Sequence, residues 1–134
     1  MDTSRSILVV DDMMAQRKIL RKHLTEIGFK NVTEAGNGQE ALTLLQKGEV
    51  KIDVVVSDWN MPEMNGITLL KSIRAEANES LSKMPFLMVT AEGDASTIME
   101  AMDAGASAYL VKPFTKDTFA AKLLTVFKMF NWAG

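Results

Sequence analysis

Five side chains that can bind phosphate or a metal ion stand at the ends of four apolar runs of the sequence. They are Asp11, Asp12, Asp58, Thr90 and Lys112. The run at 52–58 is rich in β-branched residues, and Pro62 soon after it cannot continue a strand. Runs of this kind, set between helical patterns, are typical of parallel strands buried on both faces. Open α/β sheets bind ligands beyond the carboxyl ends of their strands. The sequence therefore predicts that these side chains converge on a phosphoryl site that contains a metal ion.

The three carboxylates define the metal that we expect. A single Asp after a strand often caps the next helix, but Asp11 and Asp12 lie side by side and repel each other unless a cation sits between them. Hard carboxylate oxygens at an aqueous rim suit Mg²⁺, with Mn²⁺ as a substitute. Zinc is disfavoured because the chain has no Cys and only one His.

The charges around Asp58 favour phosphorylation of its carboxylate. A divalent ion and Lys112 together balance the three carboxylates, and an acyl phosphate on Asp58 would add roughly one further negative charge. Lys112 and the metal can hold that charge, while the Thr90 hydroxyl can donate to a phosphoryl oxygen. Aspartate nucleophiles are a known route to a phosphoenzyme. Taken alone, Thr90 and Lys112 would be an ordinary strand-end hydroxyl and a surface lysine.

Strand-like and helix-like patterns alternate five times along the chain. The predicted strands are 7–10, 31–35, 52–58, 85–90 and 108–111. The predicted helices cover 13–27, 38–46, a segment from Gly66, a segment from Ala95 to Met102, and 119–130, with Met13, Met99 and Met102 among the inward residues. Short connections and right-handed crossovers favour a doubly wound, flavodoxin-like α/β fold of five parallel strands and five helices. We expect the strand order 2-1-3-4-5, in which the first and third strands are neighbours and Asp11 and Asp12 lie beside Asp58.

Composition narrows the class of protein. The chain has 134 residues, 47% hydrophobic and 24% charged, which predicts one domain over residues 1–134. A formal net charge of −2 gives no reason to expect nucleic acid or an anionic membrane as a partner. No signal pattern and no apolar stretch of membrane-spanning length is present, so we expect a cytoplasmic protein without membrane insertion.

Four motifs together resemble a known family. They are Asp11-Asp12, Asp58, Thr90-Ala91-Glu92 and Lys112-Pro113-Phe114, in that order and at these distances. The chain resembles a response-regulator receiver domain over essentially its whole length. Longer segments at 56–62, 87–92 and 104–114 resemble the CheY-type chemotaxis regulators of that family.

The resemblance implies a role for each matching residue at the site. Asp58 would be the phosphoacceptor, charged by a sensor histidine kinase or slowly by small acyl phosphates. Asp12, Asp58 and the Asn60 carbonyl would contact Mg²⁺, and Asp11 would act partly through water. Thr90 and Lys112 would bind the phosphoryl group.

The resemblance also implies a switch and an output surface. Tyr109 would follow Thr90 inward, although a half-buried core aromatic is the simpler interpretation. Ala91 and Glu92 would belong to the switch region, and Trp59 would report on the site by its fluorescence. The fourth long helix, the fifth strand and the last helix would carry the output, which in CheY-type proteins docks on the flagellar motor switch and controls flagellar rotation. A monomer is expected, and a separate phosphatase is a possible further partner.

Two other functions remain open from the sequence. A phosphorelay shuttle or phosphate-sink receiver would use identical chemistry. A Mg²⁺-dependent aspartyl-phosphate phosphatase is a remote alternative, because such enzymes usually carry an acid two positions after the nucleophile, where this chain has Asn60, and a cap domain that is missing here. We therefore expect a phosphoacceptor signalling module, not an enzyme. Gly93-Asp94-Ala95-Ser96 stands where CheY-type proteins often carry lysines, which predicts an altered partner-binding surface.

Overall fold

The computed structural model describes residues 1–134 and contains one five-stranded parallel sheet in the order β2-β1-β3-β4-β5. The strands are β1 (Ile7–Val10), β2 (Val32–Ala35), β3 (Val54–Asp58), β4 (Phe86–Thr90) and β5 (Ala108–Val111). The predicted doubly wound fold and its strand order are confirmed.

Six helices connect or follow these strands, one more than the five that were predicted. They are α1 (Met14–Ile27), α2 (Gly38–Lys47), α3 (Gly66–Arg74), α4 (Glu79–Ser82), α5 (Ala95–Asp103) and α6 (Lys116–Met129). The additional helix, α4, is a single turn without a buried residue, so it leaves no apolar stripe in the sequence. Its start is marked only by Asn78, whose side chain accepts a hydrogen bond from the Ser80 N–H at 2.9 Å.

The sheet separates two hydrophobic clusters, of 16 and 15 buried residues. Side chains of α2 and α3 contribute to the first cluster, and side chains of α1 and α6 contribute to the second. Every residue of β1, β3 and β4 is buried. These central strands therefore form the rigid, buried core of the sheet, and the polar residues lie at their carboxyl ends.

For two helices, the prediction of which apolar residues face the core is wrong in part. Met13 is 53% exposed and precedes the first residue of α1. In α5, Met99 and Met102 are 61% and 42% exposed, and Ala101 is the only buried residue. A short helix that packs through one small side chain leaves its larger apolar residues outside, and helical spacing alone does not reveal which face is covered.

None of the helices combines the length and the apolar character needed to cross a membrane.

Gly66 sets how closely α3 approaches the end of β3. A Cβ atom at this position would lie 2.4 Å from the Asp58 carbonyl oxygen and 2.9 Å from the Met88 sulfur. The Gly66 N–H also donates to the Trp59 carbonyl at 2.8 Å. Any side chain here would displace the backbone next to Asp58.

We expect Gly66→Ala to lower the free energy of unfolding by about 1–3 kcal/mol, because the new methyl group clashes with backbone. Gly36→Ala is the matched control, since its Cβ would meet only side-chain atoms at 3.6 Å and beyond. Urea unfolding of both variants measures the difference. Equal stability of the two variants would contradict the proposed close approach.

Candidate functional site

Three carboxylates come together at the carboxyl end of the sheet. Oxygens of Asp11, Asp12 and Asp58 all lie within 4.8 Å of one another. Their approach follows from the pairing of β1 with β3, in which Val10 is opposite Ser57. Asp11 and Asp58 are only 1% and 5% exposed, whereas Asp12 faces solvent. The convergence predicted from the strand ends is therefore present.

Asp11 is the carboxylate that most needs a counter-charge. Its Oδ1 accepts a hydrogen bond from the Met13 N–H at 2.9 Å, but its Oδ2 is buried and has no hydrogen-bond partner. Burial raises the pKa of Asp11, and the negative charge of Asp58 raises it further. A buried oxygen without a partner, beside two more carboxylates, fits a hard divalent cation such as Mg²⁺.

Lys112 brings a positive charge to the cluster from the end of β5. Its Nζ donates to Asp58 Oδ1 at 2.9 Å and lies 4.0 Å from Asp11 Oδ2. The Lys112 N–H donates to the Thr90 carbonyl at 2.7 Å, and the peptide bond to Pro113 is cis. The predicted lysine is thus paired with the predicted acceptor carboxylate.

Gln16 is a site residue that the sequence did not reveal. Its Oε1 accepts a second hydrogen bond from Lys112 Nζ at 2.5 Å. The only signal in the sequence is its position, one helical turn after Asp12 on α1. A lone glutamine on an amphipathic helix is ordinary, so that signal could not have selected it.

Thr90 lies at the end of β4, one residue beyond the partner of Asp58 in the sheet register. It is buried, and its Oγ1 accepts a hydrogen bond from the Glu92 N–H at 3.0 Å. This bond orients the hydroxyl group and leaves its proton to donate.

The loop after β3 holds two further predicted residues. The Trp59 N–H donates to the Val89 carbonyl at 2.8 Å, and the side chain packs against the first hydrophobic cluster. Asn60 follows in the exposed loop. Trp59 is therefore fixed next to Asp58, where an indole can respond to a change at the site.

Three of the predicted switch residues lie on β5 and on the loop between β4 and α5. Ala91 and Glu92 are exposed on the loop between β4 and α5, and Tyr109 is half-buried on β5. The Lys122 ammonium lies 4.7 Å from the centre of the Tyr109 ring. This arrangement is a cation–π contact on the β5–α6 surface.

Asp94 has a structural role at the start of α5, which explains why an acidic residue stands at this predicted partner-binding surface. Its carboxylate accepts hydrogen bonds from the Thr97 N–H and the Thr97 hydroxyl and so caps α5. Hydrogen bonds from the Ser96 and Thr97 side chains lower the pKa of Asp94 to about 2. The carboxylate is charged at neutral pH, so the start of α5 carries a negative charge.

Comparison with known proteins shows the family. The model of the response regulator receiver domain matches residues 7–124. The chain belongs to this family. The chemotaxis protein CheY-3 of Vibrio cholerae serotype O1 is 46% identical over 128 residues, which cover 96% of this chain and 95% of that protein. The chemotaxis protein CheY of Pseudomonas aeruginosa is 44% identical over 125 residues, which cover 93% and 98%.

Solved structures agree with this assignment. The structure of Vibrio cholerae chemotaxis protein CheY4 superposes with a TM-score of 0.80 at 35% identity, covering 92% of this chain and 98% of that one. A response regulator of Chloroflexus aurantiacus gives a TM-score of 0.83 at 30% identity, covering 93% and 98%. The protein is thus a receiver domain with CheY-type chemotaxis homologues. Receiver domains are signalling modules that bind Mg²⁺ through an acidic pocket, and Asp11, Asp12 and Asp58 form such a cluster here.

We expect Asp11→Asn to raise the free energy of unfolding by about 1–2 kcal/mol in metal-free buffer at neutral pH, because it removes repulsion among buried carboxylates. The direction of this change in the free energy of unfolding agrees with the raised pKa of Asp11, because the folded state binds the Asp11 proton more tightly than the unfolded state does. Stability therefore increases as the pH falls through the folded-state pKa.

Urea unfolding with EDTA and with Mg²⁺ measures this effect. Mg²⁺ should stabilise the wild type more than the variant. Asn substitution of the solvent-exposed Asp12 is the matched control and should stabilise the metal-free protein less. A less stable Asp11→Asn variant in EDTA would contradict the repulsion.

Proposed function

We propose that this chain is a single receiver domain, over residues 1–134, that accepts a phosphoryl group on Asp58 from a sensor histidine kinase. The phosphorylated form then binds a partner protein, and for this chain we propose the flagellar motor switch in chemotaxis. The observation that carries the proposal is the environment of the Asp58 carboxylate. Asp58 is 5% exposed, accepts a hydrogen bond from Lys112 Nζ at 2.9 Å, and lies in a cluster with the carboxylates of Asp11 and Asp12.

The chemistry is an in-line displacement at phosphorus. One Asp58 oxygen attacks the phosphorus of a phosphohistidine, a P–O bond forms, and the P–N bond breaks. The electron pair of that bond goes to the imidazole nitrogen. Asp58 can attack because Lys112 binds only one of its oxygens in the structure.

The surrounding residues stabilise the charge that develops on the phosphoryl group. Lys112 already lies within hydrogen-bond distance of Asp58, so its ammonium can pair with a phosphoryl oxygen after little movement. The Thr90 hydroxyl, held by the Glu92 N–H, can donate to another. Asp11, Asp12, Asp58 and the Asn60 carbonyl would hold Mg²⁺, which supplies positive charge to the phosphoryl oxygens when bound.

Output is proposed to involve the surface formed by α5, β5 and α6. Tyr109 and Lys122 lie on this surface, and Met99 and Met102 of α5 are exposed. A bond from Thr90 to a phosphoryl group would change the loop that connects β4 to α5, and that loop begins at Ala91. The surface can therefore differ between the two states of Asp58.

Asp58→Asn should abolish Mg²⁺-dependent labelling by acetyl phosphate, because an amide oxygen is a poor nucleophile and the amide cannot form the acyl phosphate. Intact-protein mass spectrometry measures the added phosphoryl group, and circular dichroism checks the fold. Continued labelling of the folded variant would rule out Asp58 as the acceptor.

Asp12→Ala should weaken Mg²⁺ binding by about tenfold or more and slow labelling in proportion, because it removes a proposed metal ligand. Quenching of Trp59 fluorescence by Mg²⁺ gives the affinity, and the Trp132→Phe background isolates this signal. Asp103→Ala, on α5, is the control. Unchanged quenching in Asp12→Ala would exclude Asp12 from the metal site.

The motor assignment is tested by binding of an N-terminal peptide of the flagellar switch from the same source. Beryllofluoride with Mg²⁺ should tighten binding of the wild type and leave Asp58→Asn unchanged. A filled site, reported by Trp59, without tighter peptide binding would instead indicate a relay or phosphate-sink receiver with another partner.

A further inference from the structure

Gln16 reaches the site from the first turn of α1. Its Oε1 accepts a hydrogen bond from Lys112 Nζ at 2.5 Å, while the same ammonium donates to Asp58 Oδ1 at 2.9 Å. Asp11 Oδ2, at 4.0 Å, is too distant for a third hydrogen bond. The Lys112 ammonium is therefore held between α1 and β3 by two acceptors.

This second acceptor limits the freedom of a long side chain. A lysine loses up to about 2 kcal/mol of rotamer entropy when it is fixed in one conformation. With Asp58 as its only partner, Lys112 would have to be positioned again once the carboxylate becomes an acyl phosphate. Gln16 supplies an anchor that does not change in that reaction.

The bond to Gln16 also leaves the ammonium able to bind a phosphoryl oxygen. An ammonium has three protons, and the Gln16 carbonyl uses one of them without neutralising the charge. An incoming phosphoryl group can therefore meet a lysine that is already oriented.

We propose that Gln16 is a positioning residue for Lys112 and that it accelerates phosphoryl transfer to Asp58. The effect on the rate of transfer rests on the proposed function. The restraint on the Lys112 side chain does not, because it is present without phosphorylation.

A purely structural role for Gln16 is not supported by its surroundings. The buried residues of α1 are Leu20 and Leu24, one or more turns further along the helix. Gln16 makes no other side-chain hydrogen bond, and it does not cap α1, whose first turn has no side-chain cap. Its replacement should therefore change the lysine and little else.

Gln16→Met tests the role, because methionine has a similar length and cannot accept this hydrogen bond. We expect the rate of labelling by acetyl phosphate at saturating Mg²⁺ to fall about three- to tenfold, as for the loss of one hydrogen bond. The Mg²⁺ affinity from Trp59 quenching and the urea midpoint should stay at wild-type values. Gln46→Met, an exposed position on α2, is the matched control and should behave as the wild type.

An NMR measurement tests the restraint directly. The Lys112 ammonium should give a ¹H–¹⁵N signal in the wild type and in Gln46→Met, because its two hydrogen bonds slow proton exchange. The signal should be lost or strongly broadened in Gln16→Met, and Lys112→Arg assigns it.

The outcomes separate this inference from the proposed function. An unchanged labelling rate, or a parallel loss of rate and Mg²⁺ affinity, overturns the positioning role. An ammonium signal that is the same in the wild type and Gln16→Met also overturns it. Absence of labelling in the wild type contradicts the proposed function, and the NMR comparison then still decides whether Gln16 restrains Lys112.

Discussion

Repulsion among three carboxylates within 4.8 Å of one another is the constraint on which the rest of this structure depends. Two of them, Asp11 and Asp58, are removed from solvent, where like charges interact strongly. Lys112 offsets part of the repulsion, and a divalent cation would offset more. Such a cluster persists only where the backbone cannot move to separate the carboxylates, and the buried central strands provide that rigidity.

The unfavourable charge arrangement is also what makes the site responsive. A cluster with excess negative charge gains much from a cation that restores the balance, and under the proposed function that cation would also offset the charge of a phosphoryl group on Asp58. The residues around it are already fixed by backbone contacts: Gly66 against the end of β3, and Lys112 against Thr90. These contacts would need little reorganisation when the charge changes, which favours the electrostatic stabilisation proposed for phosphoryl transfer to Asp58.

Packing differs sharply between the site and the proposed output surface. The central strands are buried throughout, whereas α5 buries only Ala101. The two ends of α5 are secured by polar contacts: Asp94 caps its start, and the Arg74 guanidinium binds the Gly105 carbonyl just beyond its end at 2.7 and 3.1 Å. A helix held mainly at its ends can shift its middle at a low cost in buried apolar area.

The fold and most of the site could be predicted from the sequence because they depend on local patterns. Apolar runs that end in Asp58 or Lys112 identify buried parallel strands. Short right-handed connections leave few strand orders, and the order 2-1-3-4-5 is preferred among them because it brings Asp11 and Asp12 beside Asp58. The acidic pair Asp11-Asp12 predicts a cation from charge alone. The strands and the acidic pair are properties of adjacent residues, so their prediction requires no knowledge of distant contacts.

Tertiary structure decided the features that depend on which side chains meet across the sheet. Helical spacing predicted that Met99 and Met102 point inward, but the position of α5 against the sheet leaves them exposed. The hydrogen bond between Gln16 and Lys112 joins residues 96 positions apart in the chain. The sequence by itself determined the elements and the chemistry at their ends, because each element is specified by its own residues. Only the packed structure determined which partner each side chain has, because that choice depends on the relative placement of whole elements.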